Sequence, residues 1–286
     1  MENTRVTKVL KNSRKHWVGN GFYVSSLWSP GSSLYKYTNP FLMLDYASPM
    51  MFEPSEERRG VGVHPHRGFE TVTFAIEGEV EHRDSSGGGG VIFPGDVQWM
   101  TAASGVVHDE FHSDKFTREG GVFSMVQLWV NLASEFKMSE PKYQSIKSEE
   151  FDRVSEDGHE VKVIAGLYKD HEGACSTYSP INVFEVNFSK NSEFEYFCLE
   201  KMTTLVLILD GEVEISNENY VKEQALAIEK DGDKYSLRAK KGSKLLIFSG
   251  VPIEEPVASY GPFVMNTKEE LVQAVEDFNA NRMGNL

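Results

Sequence analysis

Short runs of β-branched and aromatic residues recur along this chain, each bounded by Gly, Pro, Ser or Asp. Phe22 to Trp28, Phe41 to Asp45, Thr71 to Ile76, Gly90 to Phe93, Val97 to Thr101 and Val122 to Leu132 are of this kind. Their length and spacing predict β-strands and an all-β sandwich or barrel. The glycine run from Gly87 to Gly90 lacks the lysine and following helix of a phosphate cradle, so it reads as a hairpin tip. From Ser134 to Asp157 the pattern gives way to charged and polar residues, which predicts a linker or surface excursion. Strand patterning resumes at Val161 to Gly166. Near the end, Thr267-Lys268-Glu269-Glu270 has capping-box spacing, and Leu271, Val275 and Phe278 follow at helical intervals, predicting a C-terminal amphipathic helix.

The two halves resemble each other. Thr71 to Glu81 lines up with Thr204 to Glu214 at an offset of 133 residues, both as an apolar strand, an acidic-Gly turn and an outgoing strand. Duplication is the economical reading. It gives a first barrel over residues 1–133, a linker over 134–160 and a second barrel over 161–286 that ends in the helix.

A net charge of −14 argues against non-specific binding to a phosphate backbone. The polar, basic N-terminus has no apolar core of a signal peptide, and no run approaches the ~18 apolar residues of a membrane span. Cys175 and Cys198 suit neither a disulfide framework nor a thiolate metal site and read as small buried hydrophobes. A monomeric cytoplasmic protein is expected, with a nuclear location open in a eukaryote.

The candidate chemistry lies in two triplets, His64-Pro65-His66 and His108-Asp109-Glu110. Alternate side chains of a strand share a face, so each triplet offers two ligands while its middle residue turns away. On neighbouring strands of one barrel they would bring three imidazoles and one carboxylate together, a donor set for a divalent first-row metal. At the offset of 133, His64 and His66 fall on Phe197 and Leu199, and no histidine follows His171, so a metal is expected only in the first half. Of the other histidines, His16, His159 and His171 read as solvated and His82 as remote from the site. His112 shares the parity of His108 and Glu110 and reads as a spare ligand or a neighbour of the ligands. Glu70 has the parity of His64 and His66 and is retained as an alternative carboxylate. Trp129 reads as core rather than substrate wall.

The blocks His64 to Thr73, Gly78 to Ser85, Pro94 to Ala102, Gln127 to Leu132 and Gly261 to Thr267 resemble the pirin family of the cupin superfamily. The resemblance spans nearly the whole chain. It implies a bicupin of two face-to-face double-stranded β-helix barrels with a C-terminal helix, and one metal, in the N-terminal barrel only. The implied ligands are His64, His66, His108 and Glu110, with Glu110 in place of the carboxylate that many other cupins carry at the position of Glu70. The implied metal is Fe(II), with Mn, Ni, Cu, Co and Zn compatible with the same donors.

Some pirins open flavonols such as quercetin with O₂ and release carbon monoxide. By that resemblance the substrate is a small planar aromatic, the metal is a Lewis acid and Glu110 is the general base. Arg67 is placed either against the substrate anion or in a surface salt bridge. The competing implication, from eukaryotic pirins, is a redox-responsive transcription cofactor that grips a transcription factor and makes no direct nucleic-acid contact. An inert scaffold whose metal has every position filled by protein is the third. Where many pirins carry His-Gly this chain has Ser124-Met125, which puts inherited substrate handling in question but not the ligand set.

Overall fold

The computed structural model describes residues 4–12, 14–229 and 233–286. These fall into two compact units, the first from residues 12–35, 41–148 and 253–286, the second from residues up to 11, 36–40 and 149–252. Each unit pairs a seven-stranded sheet with a four-stranded sheet, and every strand pairing within those sheets is antiparallel. The expected strands are present, among them Phe22–Trp28, Phe69–Glu77, Val97–Thr101 and Gly121–Asn131. The glycine run closes the hairpin between Val80–Asp84 and Gly89–Ile92.

Strand order is the same in the two small sheets, and in the two large sheets apart from one edge strand, Lys142–Ile146 in the first and Arg5–Leu10 in the second, which makes the duplication structural. In the first, the small sheet runs Gly60–His66, Val106–His112, Val80–Asp84, Gly89–Ile92; in the second it runs Ser192–Phe197, Lys234–Ala239, Glu212–Ile215, Glu218–Val221. Register then gives the true correspondence. His64 sits opposite His108, and His112 opposite Val80. Their counterparts are Tyr196 opposite Tyr235, and Ala239 opposite Val213. The second barrel therefore turns Tyr196 and Cys198 inward, both buried, while Phe197 and Leu199 are 59% and 54% exposed. The offset of 133 was one residue out on this strand, and a one-residue slip moves a strand's side chains to the opposite face.

The sequence-derived boundaries differ from the units in three places. Residues 134–160 are not a bare linker: Lys142–Ile146 edges the large sheet of the first unit, and Arg153–Glu156 edges that of the second. Both are edge strands with a solvated face, so they carry too few apolar residues to stand out. The N-terminal segment Arg5–Leu10 pairs with Ala225–Glu229 in the second unit. The C-terminal helix, Lys268–Asn279, belongs to the first unit, with Val107, Phe263, Ala274 and Met283 in one buried cluster against Leu271, Val275 and Phe278. The Thr267 to Glu270 capping box is formed. Among the described residues, no helix is long and apolar enough to cross a membrane.

Candidate metal centre

Gly60–His66 and Val106–His112 lie side by side in the small sheet of the first unit. A register shift between His108 and Glu110 sets the spacing, bringing Glu110 opposite Val61. Gly60 permits this close approach, since a Cβ there would stand 2.2 Å from the Glu110 carbonyl oxygen. One ring nitrogen from each of His64, His66 and His108 lies within 4.8 Å of the others, and the ligand atoms of His82, His108 and Glu110 meet the same limit. The three expected histidines form one group, and the expected carboxylate, Glu110, meets His108 in a second group that also includes His82. His64 and Glu110 also line one small cavity, of about 30 Å³, with Phe22, Asp45, Met125 and Gln127. Asp109 turns away as alternation requires and pairs with Arg83.

Hydrogen bonds orient the rings. Peptide carbonyls only accept, so the contacts of His64 Nδ1 to the Gly62 oxygen (2.8 Å) and of His66 Nδ1 to the Pro262 oxygen (3.4 Å) place the proton on Nδ1. Each ring is left with a free Nε2. His108 Nε2 is buried and has no hydrogen-bond partner. Burial first, and then the neighbouring imidazoles, push His66 and His108 well below the usual histidine range. These two rings are therefore neutral, as metal donors must be.

Glu110 is held on both oxygens. Gln98 Nε2 donates to Oε1 at 2.8 Å, Thr73 Oγ1 donates to Oε1 at 3.3 Å, and Gln127 Nε2 donates to Oε2 at 2.9 Å. These donors come from the large sheet, so the carboxylate spans the barrel interior. A buried carboxylate is tolerated when its lone pairs are satisfied in this way.

Glu70 is buried on the opposite face of its strand from Thr73, takes a 2.7 Å hydrogen bond from Thr101, and is pushed up to about 7 by burial. Its parity with His66 is broken by the corner at Gly68, which has φ of 89° and sits where a Cβ would stand 2.0 Å from the Val264 oxygen. His112 lies one alternation beyond Glu110, where it stacks on Phe123 at 4.4 Å and bonds the Gly21 oxygen through Nε2. It is a core residue, held at about 4 mainly by burial. His159 is buried rather than solvated, packed against Phe188 and Phe194.

Arg67 is neither at the site nor on the surface. It is buried, pairing with Asp277 of the C-terminal helix at 2.8 Å and donating to the Ser104 oxygen at 2.6 Å. Ser124 is buried and donates to the Ala47 oxygen, on the face of its strand away from Gln127. Trp129 packs on Phe69 at 4.2 Å and stands edge-on to His66 at 5.2 Å, so it is core that also walls the histidines. Cys175 and Cys198 are both buried, with no disulfide.

Sequence reasoning missed His82, which is fully buried and lies 3.3 Å, Nδ1 to Nδ1, from His108. Its signal was the shared parity of His82 and Asp84 beside the glycine run. Asp45, buried and raised by that burial against the opposing Ser26 hydrogen bond, was missed as a cavity residue.

The donor set fits a divalent ion: three imidazoles with free or orphaned Nε2 atoms, beside a carboxylate that accepts hydrogen bonds on both oxygens.

Comparison with known proteins agrees with this architecture. The Pirin family model matches residues 25–130, and the model of the Pirin C-terminal cupin domain matches residues 183–284. A Pseudomonas aeruginosa protein with a provisional quercetin 2,3-dioxygenase name is 45% identical over 97% of this chain and 98% of its own. A pirin-like protein of Solanum lycopersicum is 34% identical over 98% and 92%. The crystal structure of quercetin 2,3-dioxygenase from Acinetobacter baumannii superposes with a TM-score of 0.94 at 45% identity, covering 99% of both chains. The two barrels are the two cupin domains of a bicupin, and the chain belongs to the pirin family.

Proposed function

We propose that the first barrel holds one divalent metal ion through His64, His66, His108 and Glu110, with Fe(II) as the physiological ion, and that the protein is a flavonol dioxygenase of the quercetin 2,3-dioxygenase type. The observation that carries the metal reading is the orphaned, buried Nε2 of His108 beside the ring nitrogens of His64 and His66. The flavonol reading is supported by the full-length similarity to proteins bearing that name.

When bound, the ion supplies Lewis acidity toward a deprotonated hydroxyl and the one-electron chemistry that O₂ requires. The chain's own residues do the rest. Glu110, which lines the cavity with Gln127 and accepts from it on Oε2, takes up the flavonol hydroxyl proton. Gln98, Thr73 and Gln127 keep that carboxylate aimed, and Phe22, Val24, Val61 and Met125 exclude water from the reacting face. Ring opening then consumes one O₂ and releases one carbon monoxide per flavonol.

The cavity's 30 Å³ accommodates about one water rather than a flavonol, so substrate entry requires Met125 and its neighbours to move. That observation favours a second reading, a metal-holding protein that changes its surface with oxidation state and binds a transcription factor. Oxygen uptake with quercetin separates the two. The dioxygenase reading predicts flavonol-dependent O₂ consumption with stoichiometric carbon monoxide, lost in His108→Ala. Metal-loaded wild type that consumes no O₂ would contradict it.

A further inference from the structure

Behind His108, away from the other imidazoles, stands a buried chain of hydrogen bonds that begins at Asp84. Asp84 Oδ1 accepts from Ser86 N at 2.8 Å, Ser86 Oγ at 2.5 Å and Gly88 N at 3.0 Å. Asp84 Oδ2 faces His82 Nε2 at 3.0 Å. An ionised carboxylate only accepts, so His82 carries its proton on Nε2 and offers the lone pair of Nδ1. That lone pair receives two groups, His108 Nδ1 at 3.3 Å and Gln98 Nε2 at 3.3 Å. The Gln98 amide is fixed in this sense, because its Nε2 also donates to Glu110 and its Oε1 accepts from Tyr143. His82 is stacked flat on Tyr143, with centroids 4.9 Å apart and planes 7° apart.

We infer that Asp84 and His82 are positioning residues that hold His108 in its Nδ1–H tautomer, leaving Nε2 as the lone pair directed toward His64 and His66, and that His82 is not itself a ligand. The polarity of the chain follows from its end: an acceptor at Asp84 sets a donor at His82 Nε2, an acceptor at His82 Nδ1, and a donor at His108 Nδ1. Both nitrogens of His82 are engaged, whereas only one of His108 is. His64 and His66 reach the same tautomer through backbone carbonyls, so His108 is the ligand candidate whose orientation depends on side chains. The glycine run acquires a purpose, since a Cβ at Gly88 would stand 2.4 Å from Asp84 Oδ2. Such outer partners of a ligating histidine typically change metal affinity by about 10–100-fold when removed.

The inference rests on the metal reading above, and the test keeps the two apart. In metal-free wild type with ¹⁵N-labelled histidine, long-range ¹H–¹⁵N spectra should show His108 protonated at Nδ1 and His82 at Nε2; the opposite tautomer at His108 would overturn the inference. Zinc(II), used as a diamagnetic probe, should shift Nε2 of His64, His66 and His108 and leave the His82 nitrogens nearly unmoved. Zinc coordination at His82 would overturn it. Asp84→Asn can present an N–H to His82 and reverse the chain, so its zinc affinity, by competition with a chromophoric chelator, should fall about 10–100-fold. Wild-type affinity in a folded Asp84→Asn would overturn the inference. Should that variant not fold, the wild-type spectra decide. A wild type that takes up no zinc would refute the metal reading, with the metal-free spectrum still deciding the tautomer.

Discussion

In the first barrel Thr73, Gln98 and Gln127 converge on Glu110; at the matching register positions of the second barrel stand Val206, Leu226 and Ile247, around Leu237. His64, His66 and His108 have Tyr196, Cys198 and Tyr235 as counterparts, all buried in one apolar cluster. The same strand order therefore encloses a connected polar web once and an oily aromatic core once. The difference teaches that such a web is retained or replaced as a unit. Removing one partner strands a buried donor or charge, whereas exchanging donors and acceptors together for apolar groups is nearly neutral.

The comparison can be broken by mixing the two interiors. Leu237→Glu would put a carboxylate into the second barrel without its donors and should cost about 3–5 kcal/mol, or unfold that barrel outright, by chemical denaturation. A cost below about 1 kcal/mol would show that the donor set is not what makes Glu110 tolerable. Next in size is Arg67→Met, which leaves Asp277 with Arg282 but strips the buried ion pair that fastens the C-terminal helix to the first unit. About 3 kcal/mol of destabilisation is expected. All four tryptophans, Trp17, Trp28, Trp99 and Trp129, lie in the first unit, so their fluorescence should register this loss directly.

Acid sharpens the contrast further. His112 is held neutral by burial, at about 4 rather than the ordinary 6.5. The stability that depends on its neutral ring is complete above about 6.5 and is lost as pH falls toward 4, because the unfolded chain takes the proton first. The full contribution is about 3 kcal/mol as an order of magnitude. His66 and His108 move in the same direction. In metal-free protein, denaturation midpoints followed by tryptophan fluorescence should fall between pH 6.5 and 4, and His112→Phe should flatten that fall. Smallest of all, Thr267→Ala removes one half of the capping box and should cost about 1 kcal/mol, read as a shift in the same fluorescence transition.

Much of this was legible in the sequence because strand alternation is local. The β runs and the capping box each depend on a few consecutive residues and are found where expected, and His64, His66 and His108 come together as alternation suggests, whereas Glu110 groups with His108 and His82. What alternation could not show was where it is interrupted. The Gly68 corner reversed the face of Glu70, and a one-residue register difference put Tyr196 and Cys198, rather than Phe197 and Leu199, inside the second barrel. His82 escaped notice because its role depends on partners from three other strands, Gln98, His108 and Tyr143. The ownership of the C-terminal helix depends on Arg67 and Asp277, which are 210 residues apart.

The central claim is that one cation sits in the first barrel on His64, His66, His108 and Glu110 while the second barrel holds none. An anomalous-difference map from crystals of metal-loaded protein, recorded at the absorption edge of the bound metal, tests it most directly. The account predicts a single peak per chain within coordination distance of the three Nε2 atoms and the Glu110 carboxylate. A peak on His82 and Asp84, or one among Tyr196, Cys198 and Tyr235, would contradict it.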